Sequence, residues 1–182
     1  ALRELRLSAK YARPLPPGAL PGSLRTLVVE GAGDHPLGAH ALPEGLRELQ
    51  LGLNFNHAFK AGVLPGSLTS LDVGDAFSRR LEPSHLPASL TSLRLGNGFS
   101  AGLRRGVLPP ALRELQVGSA FNHPLVAGAL PASLRTLLFD AASTFDQPLP
   151  PGVLPASLTR LRLGEEFDQP LEVGSLPDSL TE

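Results

Sequence analysis

The chain has 182 residues, a length that suits one ordinary domain. Its 16 Lys and Arg stand against 17 Asp and Glu, so no strong net field draws it to nucleic acid or to an anionic membrane. There is no Cys, which excludes disulfides and thiolate metal sites. No apolar run approaches the ~18–20 residues of a membrane-spanning helix, and no secretory signal is visible. The aromatics are eight Phe and one Tyr, so the core must be largely aliphatic.

In chain order, Leu-Pro recurs at Leu20-Pro21, Leu42-Pro43, Leu64-Pro65, Leu86-Pro87, Leu108-Pro109, Leu130-Pro131, Leu154-Pro155 and Leu176-Pro177. The interval is 22 residues throughout, except 24 between Pro131 and Pro155. Such a period marks a stacked array of units. The units run 2–23, 24–45, 46–67, 68–89, 90–111, 112–133, 134–157 and 158–179, followed by a stub at 180–182. Their consensus is L-x-x-L-x-L-G-x-x-F-[ND]-x-P-L-x-x-G-x-L-P-x-S.

Each unit opens on a short strand, L-x-x-L-x-L, with inner pairs such as Leu49/Leu51, Leu93/Leu95 and Leu115/Val117. Stacked units predict a parallel sheet along one face of a solenoid on the order of 35–40 Å long. Gly52, Gly74, Gly96, Gly118 and Gly164 close the strands, where positive φ or close packing is expected. The ring column Tyr11, Phe55, Phe77, Phe99, Phe121, Phe145 and Phe167 predicts an internal aromatic ladder, interrupted at Gly33. Asn, Asp or Ser follows the ring and suits a turn cap, and the serines before each strand suggest similar work. The repeated Pro and Gly exclude a long helix on the return path, which is expected to be extended, polyproline-like or briefly 3₁₀. The two extra residues of unit 134–157, within Ala141-Ala142-Ser143-Thr144, are expected to bulge outward.

The strand pattern at this period resembles the leucine-rich repeat. The motifs Phe121-Asn122-His123-Pro124-Leu125, Phe145-Asp146-Gln147-Pro148-Leu149 and Phe167-Asp168-Gln169-Pro170-Leu171, each followed by G-x-L-P-x-S-L, make the chain similar to FNIP-repeat proteins. Leu stands for the family's Ile almost throughout, and Ala58, Arg80 and Gly102 replace the Pro in three units. Bacterial effector-type repeats share L-P-x-S-L-x-x-L but not the Phe-Asn/Asp-x-Pro motif. The resemblance implies a protein-interaction module of leucine-rich-repeat type, with little or no α-helix.

Residues that look chemical fall into repeat columns. His35, His57 and His123 share one column, but Arg13, Arg79, Gln147 and Gln169 fill it elsewhere, which suits exposed turn positions better than a metal site. Asp146 and Asp168 stack like a carboxylate pair, yet Asn and Ser interchange with them, as turn capping requires. No nucleophile or phosphate-loop motif is present. The reading is therefore of a non-enzyme with no cofactor and no metal.

The varied outward strand positions are the candidate partner site: Arg6, Gln50, Asp72, Arg94, Gln116 and Arg162. A merely solvated sheet face is the competing reading. A further column, Arg3, Arg25, Arg47, Arg113 and Arg135, with Thr69, Thr91 and Thr159 between, stacks like charges that the following Glu4, Glu48 and Glu114 can offset; it suggests a phosphate-binding stripe, though it lacks the interleaved aromatics of nucleic-acid binders. Neither end of the array carries a polar capping unit. It is expected to be part of a longer array; stacking on further copies of itself, or cover by another subunit, are the alternatives. The partner is another protein or a further copy, met through the strand face or the ends.

Overall fold

One coil cannot bury its own leucines, so the inner residues find cover only in the coil before and the coil after. The computed structural model describes residues 1–31 and 34–182 and shows this stacking. Eight short strands, β1 (Glu4–Leu7), β2 (Thr26–Val29), β3 (Glu48–Gln50), β4 (Ser70–Asp72), β5 (Ser92–Leu95), β6 (Glu114–Val117), β7 (Thr136–Phe139) and β8 (Arg160–Arg162), form one parallel sheet in chain order. Leu5 aligns with Leu27, Leu27 with Leu49, and so on to Leu137 with Leu161. No helix of any kind occurs among the described residues.

The first outward residue of each strand segment is held by a shared acceptor. Arg25 and Thr26 both donate their N–H to the Arg3 carbonyl (2.7 and 3.0 Å), and Arg47 and Glu48 both donate to that of Arg25. The pattern repeats to Thr181 and Glu182 on Thr159. It keeps two successive columns on the outer face between the buried leucines.

Two turns bring the chain back. In the first, the residue after the loop glycine donates to the residue three before it, as Ala19 does to Pro16, Val63 to Lys60 and Val153 to Pro150. The third position of each such turn is left-handed: Gly18, Gly62, Gly106, Gly128, Gly152 and Gly174 have φ of 76–84°, with His40 and Ser84 taking the same conformation. In the second, the Leu that starts the next coil donates to the Pro before it, from Leu24 on Pro21 to Leu180 on Pro177. The return path is thus turns joined by extended segments.

Inside, the rings of Phe55, Phe77, Phe99, Phe121, Phe145 and Phe167 stack at 6.1–6.3 Å between neighbours. Each adjacent pair adds about 0.5–1.5 kcal/mol beyond its buried area. Phe139 on β7 joins the ladder against Phe145 at 4.3 Å. Phe77, Phe99, Phe121 and Phe145 have no solvent exposure, while Phe167 in the eighth coil is half-buried. The expected break at Gly33 lies outside the described residues.

The strand-end glycines are needed for close packing, and only Gly74 among them has positive φ. A Cβ on Gly52, Gly74, Gly96 or Gly118 would collide with the carbonyl of the glycine one coil earlier, so the backbones touch along this line. The insertion bulges outward at Ala141, Ala142 and Thr144 but not at Ser143. That side chain is fully buried, its N–H donates to the Asp140 carbonyl and its hydroxyl accepts the Phe145 N–H, so the insertion closes on itself.

The serines also differ from a simple cap. Ser23, Ser67, Ser89, Ser133, Ser157 and Ser179 each donate to the carbonyl of the leucine that opens the preceding strand segment, at 2.6–2.7 Å. They tie coil to coil. Two units lack the serine. At Gly45 the Arg25 guanidinium takes over the Leu24 carbonyl at 2.9 Å; at Ala111 no such donor replaces it. Ala111→Ser is expected to stabilise the chain by about 0.5–1.5 kcal/mol through a bond to the Leu90 carbonyl, read as a higher urea midpoint. Gly96→Ala is expected to cost about 1–3 kcal/mol; an unchanged midpoint would show that the glycine line tolerates a methyl.

Candidate interaction face

The varied columns lie side by side on the outer face of the sheet. Arg6 aligns with Val28, Val28 with Gln50, Gln50 with Asp72, Asp72 with Arg94, Arg94 with Gln116, Gln116 with Leu138, and Leu138 with Arg162. The six expected contact residues therefore share one row across the strands. They differ in how free they are.

At the centre, Arg94 Nη1 reaches both Asp72 carboxylate oxygens (3.1 and 3.2 Å), and its Nη2 lies 3.4 Å from Asp75. Asp72 also accepts the Gly74 N–H at 3.0 Å. With side-chain exposures of 37% and 21%, this pair is bound within the sheet face and is screened less than an open one. Arg162 Nε donates to the Phe139 carbonyl at 3.2 Å. Arg6 pairs with Glu4 at 2.9 Å, and that carboxylate raises the Arg6 pKa by hydrogen bond and by charge. The side chains of Gln50 and Gln116 make no hydrogen bond among the described residues, and the two stand exposed and half-buried respectively. A groove of about 320 Å³ runs over β2 to β6, lined by Glu48, Gln50, Asp72, Ser92, Arg94 and Gln116 among others.

The column after the ring joins coils. Asp34 Oδ1 accepts the Asn56 N–H, Asn56 Oδ1 that of Ser78, Asn122 Oδ1 that of Asp146, and Asp146 Oδ1 that of Asp168, all at 3.0–3.1 Å. The expected turn cap is thus a bond from one coil to the next. The following column reaches backward. His35 Nε2 lies 2.9 Å from the Ala12 carbonyl, His57 Nε2 3.1 Å from that of Asp34, and Arg79 Nε donates to that of Asn56 at 2.8 Å. Gln147 and Gln169 donate instead to Asn122 and Asp146 Oδ1. Backbone bonding engages the stacked carboxylate Asp146, which had suggested acid–base chemistry. Among the described residues no group of three or more His, Asp or Glu is placed to hold a metal ion. No helix there is long and apolar enough to cross a membrane.

A parallel sheet of stacked coils with a fixed inner face and a varied outer one defines a solenoid of leucine-rich-repeat type. Within that class the chain belongs to the FNIP repeat family, whose pattern matches residues 34–72, 55–98, 99–140 and 145–182. No curated protein matches it. The solved structure of CroV588, described as a novel circular leucine-rich-repeat protein, is similar over 99% of this chain, with 30% identity and a TM-score of 0.82. The chain spans 30% of the length of that protein. Repeat solenoids of this kind are typically non-catalytic scaffolds, and their folds suggest protein interaction.

The Asp168 backbone N–H and the Gln169 amide, in that order, hold the Asp146 carboxyl below its usual value of 3.8. A lowered folded pKa contributes stability that is present above the unfolded value and is lost as pH falls through the folded one. Asp146→Asn keeps an acceptor, as Asn122 shows one coil earlier. The variant is expected to lose less stability than the parent between about pH 6 and about pH 3, measured by urea unfolding. Equal losses would contradict the assignment.

Proposed function

We propose that the chain is a non-catalytic protein-interaction module that reads its partner across the outer face of the sheet, at the row Arg6, Gln50, Asp72, Arg94, Gln116 and Arg162. The observation that supports this is the contrast between columns. Inner positions repeat Leu, Val and Phe from coil to coil, whereas the aligned outer row runs through Arg, Val, Gln, Asp, Arg, Gln, Leu and Arg. A solenoid displays its specificity on such a row.

Within the row the residues divide the work. Asp72 and Arg94 form a fixed ion pair, and Gln50 and Gln116 are the free donors and acceptors on either side of it. A photo-cross-linkable residue at Gln50 or Gln116 is expected to trap the partner, whereas one at Arg105, on the return turn, is not. Equal trapping at all three positions, or none at the face, would move the site elsewhere.

A second reading is an assembly subunit that docks through the ends of its array, as one arc of a larger stack. Leu171, Val173 and Leu176 in the eighth coil are exposed, Val173 completely, while Leu149 and Leu154, one coil earlier in the Leu171 and Leu176 columns, are buried. The similar solved protein is described as circular, and this chain corresponds to 30% of it. On this reading the eighth coil docks against a further copy of the array or another subunit. Light scattering is expected to show mass rising with concentration, reduced by Leu171→Glu with Val173→Glu; a strict monomer would exclude self-association.

A further inference from the structure

We propose that the arginine column at the start of the strands is a second docking surface, and that it takes an extended acidic segment of a partner protein. The column holds Arg3, Arg25 and Arg47 in three consecutive coils, then Thr69 and Thr91, then Arg113 and Arg135. The shared backbone acceptor fixes it in register: the Arg3 carbonyl takes the Arg25 N–H, that of Arg25 takes Arg47, and that of Arg113 takes Arg135. The side chains therefore leave the sheet at about the inter-strand spacing of 4.7–4.9 Å.

Like charges at that spacing repel, and no ion pair among the described residues holds them. Among the described residues, salt bridges engage Arg6, Arg80, Arg94, Arg104 and Arg160, and none of the five column arginines. The closest glutamates turn elsewhere: Glu4 to Arg6, Glu48 to the Thr26 hydroxyl and Glu114 to the Ser92 hydroxyl. Arg25 uses only Nη1, on the Gly22 and Leu24 carbonyls. Arg3, Arg47, Arg113 and Arg135 are exposed.

Apart from Arg25, which takes over the Leu24 carbonyl at Gly45, the fold itself does not call for arginine here. Thr69, Thr91, Thr159 and Thr181 occupy the same column, and each donates its hydroxyl to the carbonyl of the column residue one coil earlier, at 3.1–3.2 Å. Threonine thus adds a bond between coils, and arginine gives that up for an outward charge. The four exposed charges, on Arg3, Arg47, Arg113 and Arg135, are left for something outside the chain.

Charge complementarity selects an anion, and two features select a peptide over a nucleic acid. The rings that would stack on bases are inside the solenoid, at Phe55, Phe77, Phe99, Phe121 and Phe145. Glu48 and Glu114 in the adjoining column would oppose an unbroken phosphate backbone, but they leave room for carboxylates at intervals. Arg47 and Arg113 are three strand spacings apart, about 14 Å, which about four extended residues span. The fitting segment carries two acidic clusters separated by about four residues.

This surface excludes Gln50 and Gln116, so its failure would leave the reading of the sheet face untouched. The probe is a fluorescein-labelled ten-residue poly-glutamate peptide, titrated with the full chain at low salt and followed by anisotropy. Saturable binding is expected, weakening as salt rises. Exposed ion pairs are individually weak, so Arg47→Glu with Arg113→Glu is expected to weaken binding about tenfold. Arg13→Glu with Arg80→Glu makes the same change of net charge away from the column and is expected to leave binding within about twofold. Both pairs are checked for parental circular dichroism and melting. Should the first pair fail to fold, Arg47→Gln with Arg113→Gln replaces it, with a smaller loss in the same direction. Equal weakening by both pairs would reduce the effect to net charge and overturn the proposal. So would no binding, or tighter binding of a labelled single-stranded oligonucleotide that depends on the same arginines.

Discussion

Everything in this molecule depends on one constraint: a coil of 22 residues cannot bury its own apolar side, so it must repeat its neighbour's geometry to be covered by it. The register of the sheet, Leu5 on Leu27 through Leu137 on Leu161, is the direct expression of that constraint. The phenylalanine ladder and the glycine line follow from it. Rings stack at about the coil spacing because they sit at one position in successive coils, and glycine is required where the backbones of two coils touch.

The polar columns obey the same rule. A hydroxyl, amide or carboxylate that faces the neighbouring coil finds the same backbone group each time, so serine, asparagine, aspartate and histidine become links between coils. This explains why an array with His, Asp and Ser in rows need not carry chemistry. His35, His57 and Asp146, for example, bond to backbone. Freedom is left to Gln50 and Gln116 in the outer row and to the exposed members of the arginine column. The two surfaces have different electrostatics. The outer row's arginines pair through Arg94 with Asp72 and Arg6 with Glu4, whereas the arginine column forms no ion pair among the described residues.

Much of this was legible in the chain because periodicity carries tertiary information. The inner leucines, the ring column and the parallel sheet could be read from the interval alone. What was hidden was the direction in which a side chain reaches. Serine before a strand suggested a local cap, yet its partner is the carbonyl 21–23 residues earlier. Positive φ or close packing was expected at the strand-end glycines; close packing is what they serve, and positive φ belongs chiefly to the loop position of G-x-L-P, where His40 and Ser84 also adopt it. Ser143 looked like part of an outward bulge, and its inward turn depends on three-dimensional closure that no interval encodes. The Asp72–Arg94 pair had a readable signal: opposite charges one period apart in one column.

The most direct test of this account is to excise one whole coil, residues 90–111, and compare it with removal of residues 90–100 alone. Excision of the whole unit joins Ser89 to Leu112 and keeps every column in phase. If roles are assigned by column, the shortened chain will retain a β-type circular dichroism spectrum and cooperative unfolding at reduced stability, while the half-unit deletion will be unfolded. Loss of structure in both, or its survival in both, would contradict the central claim.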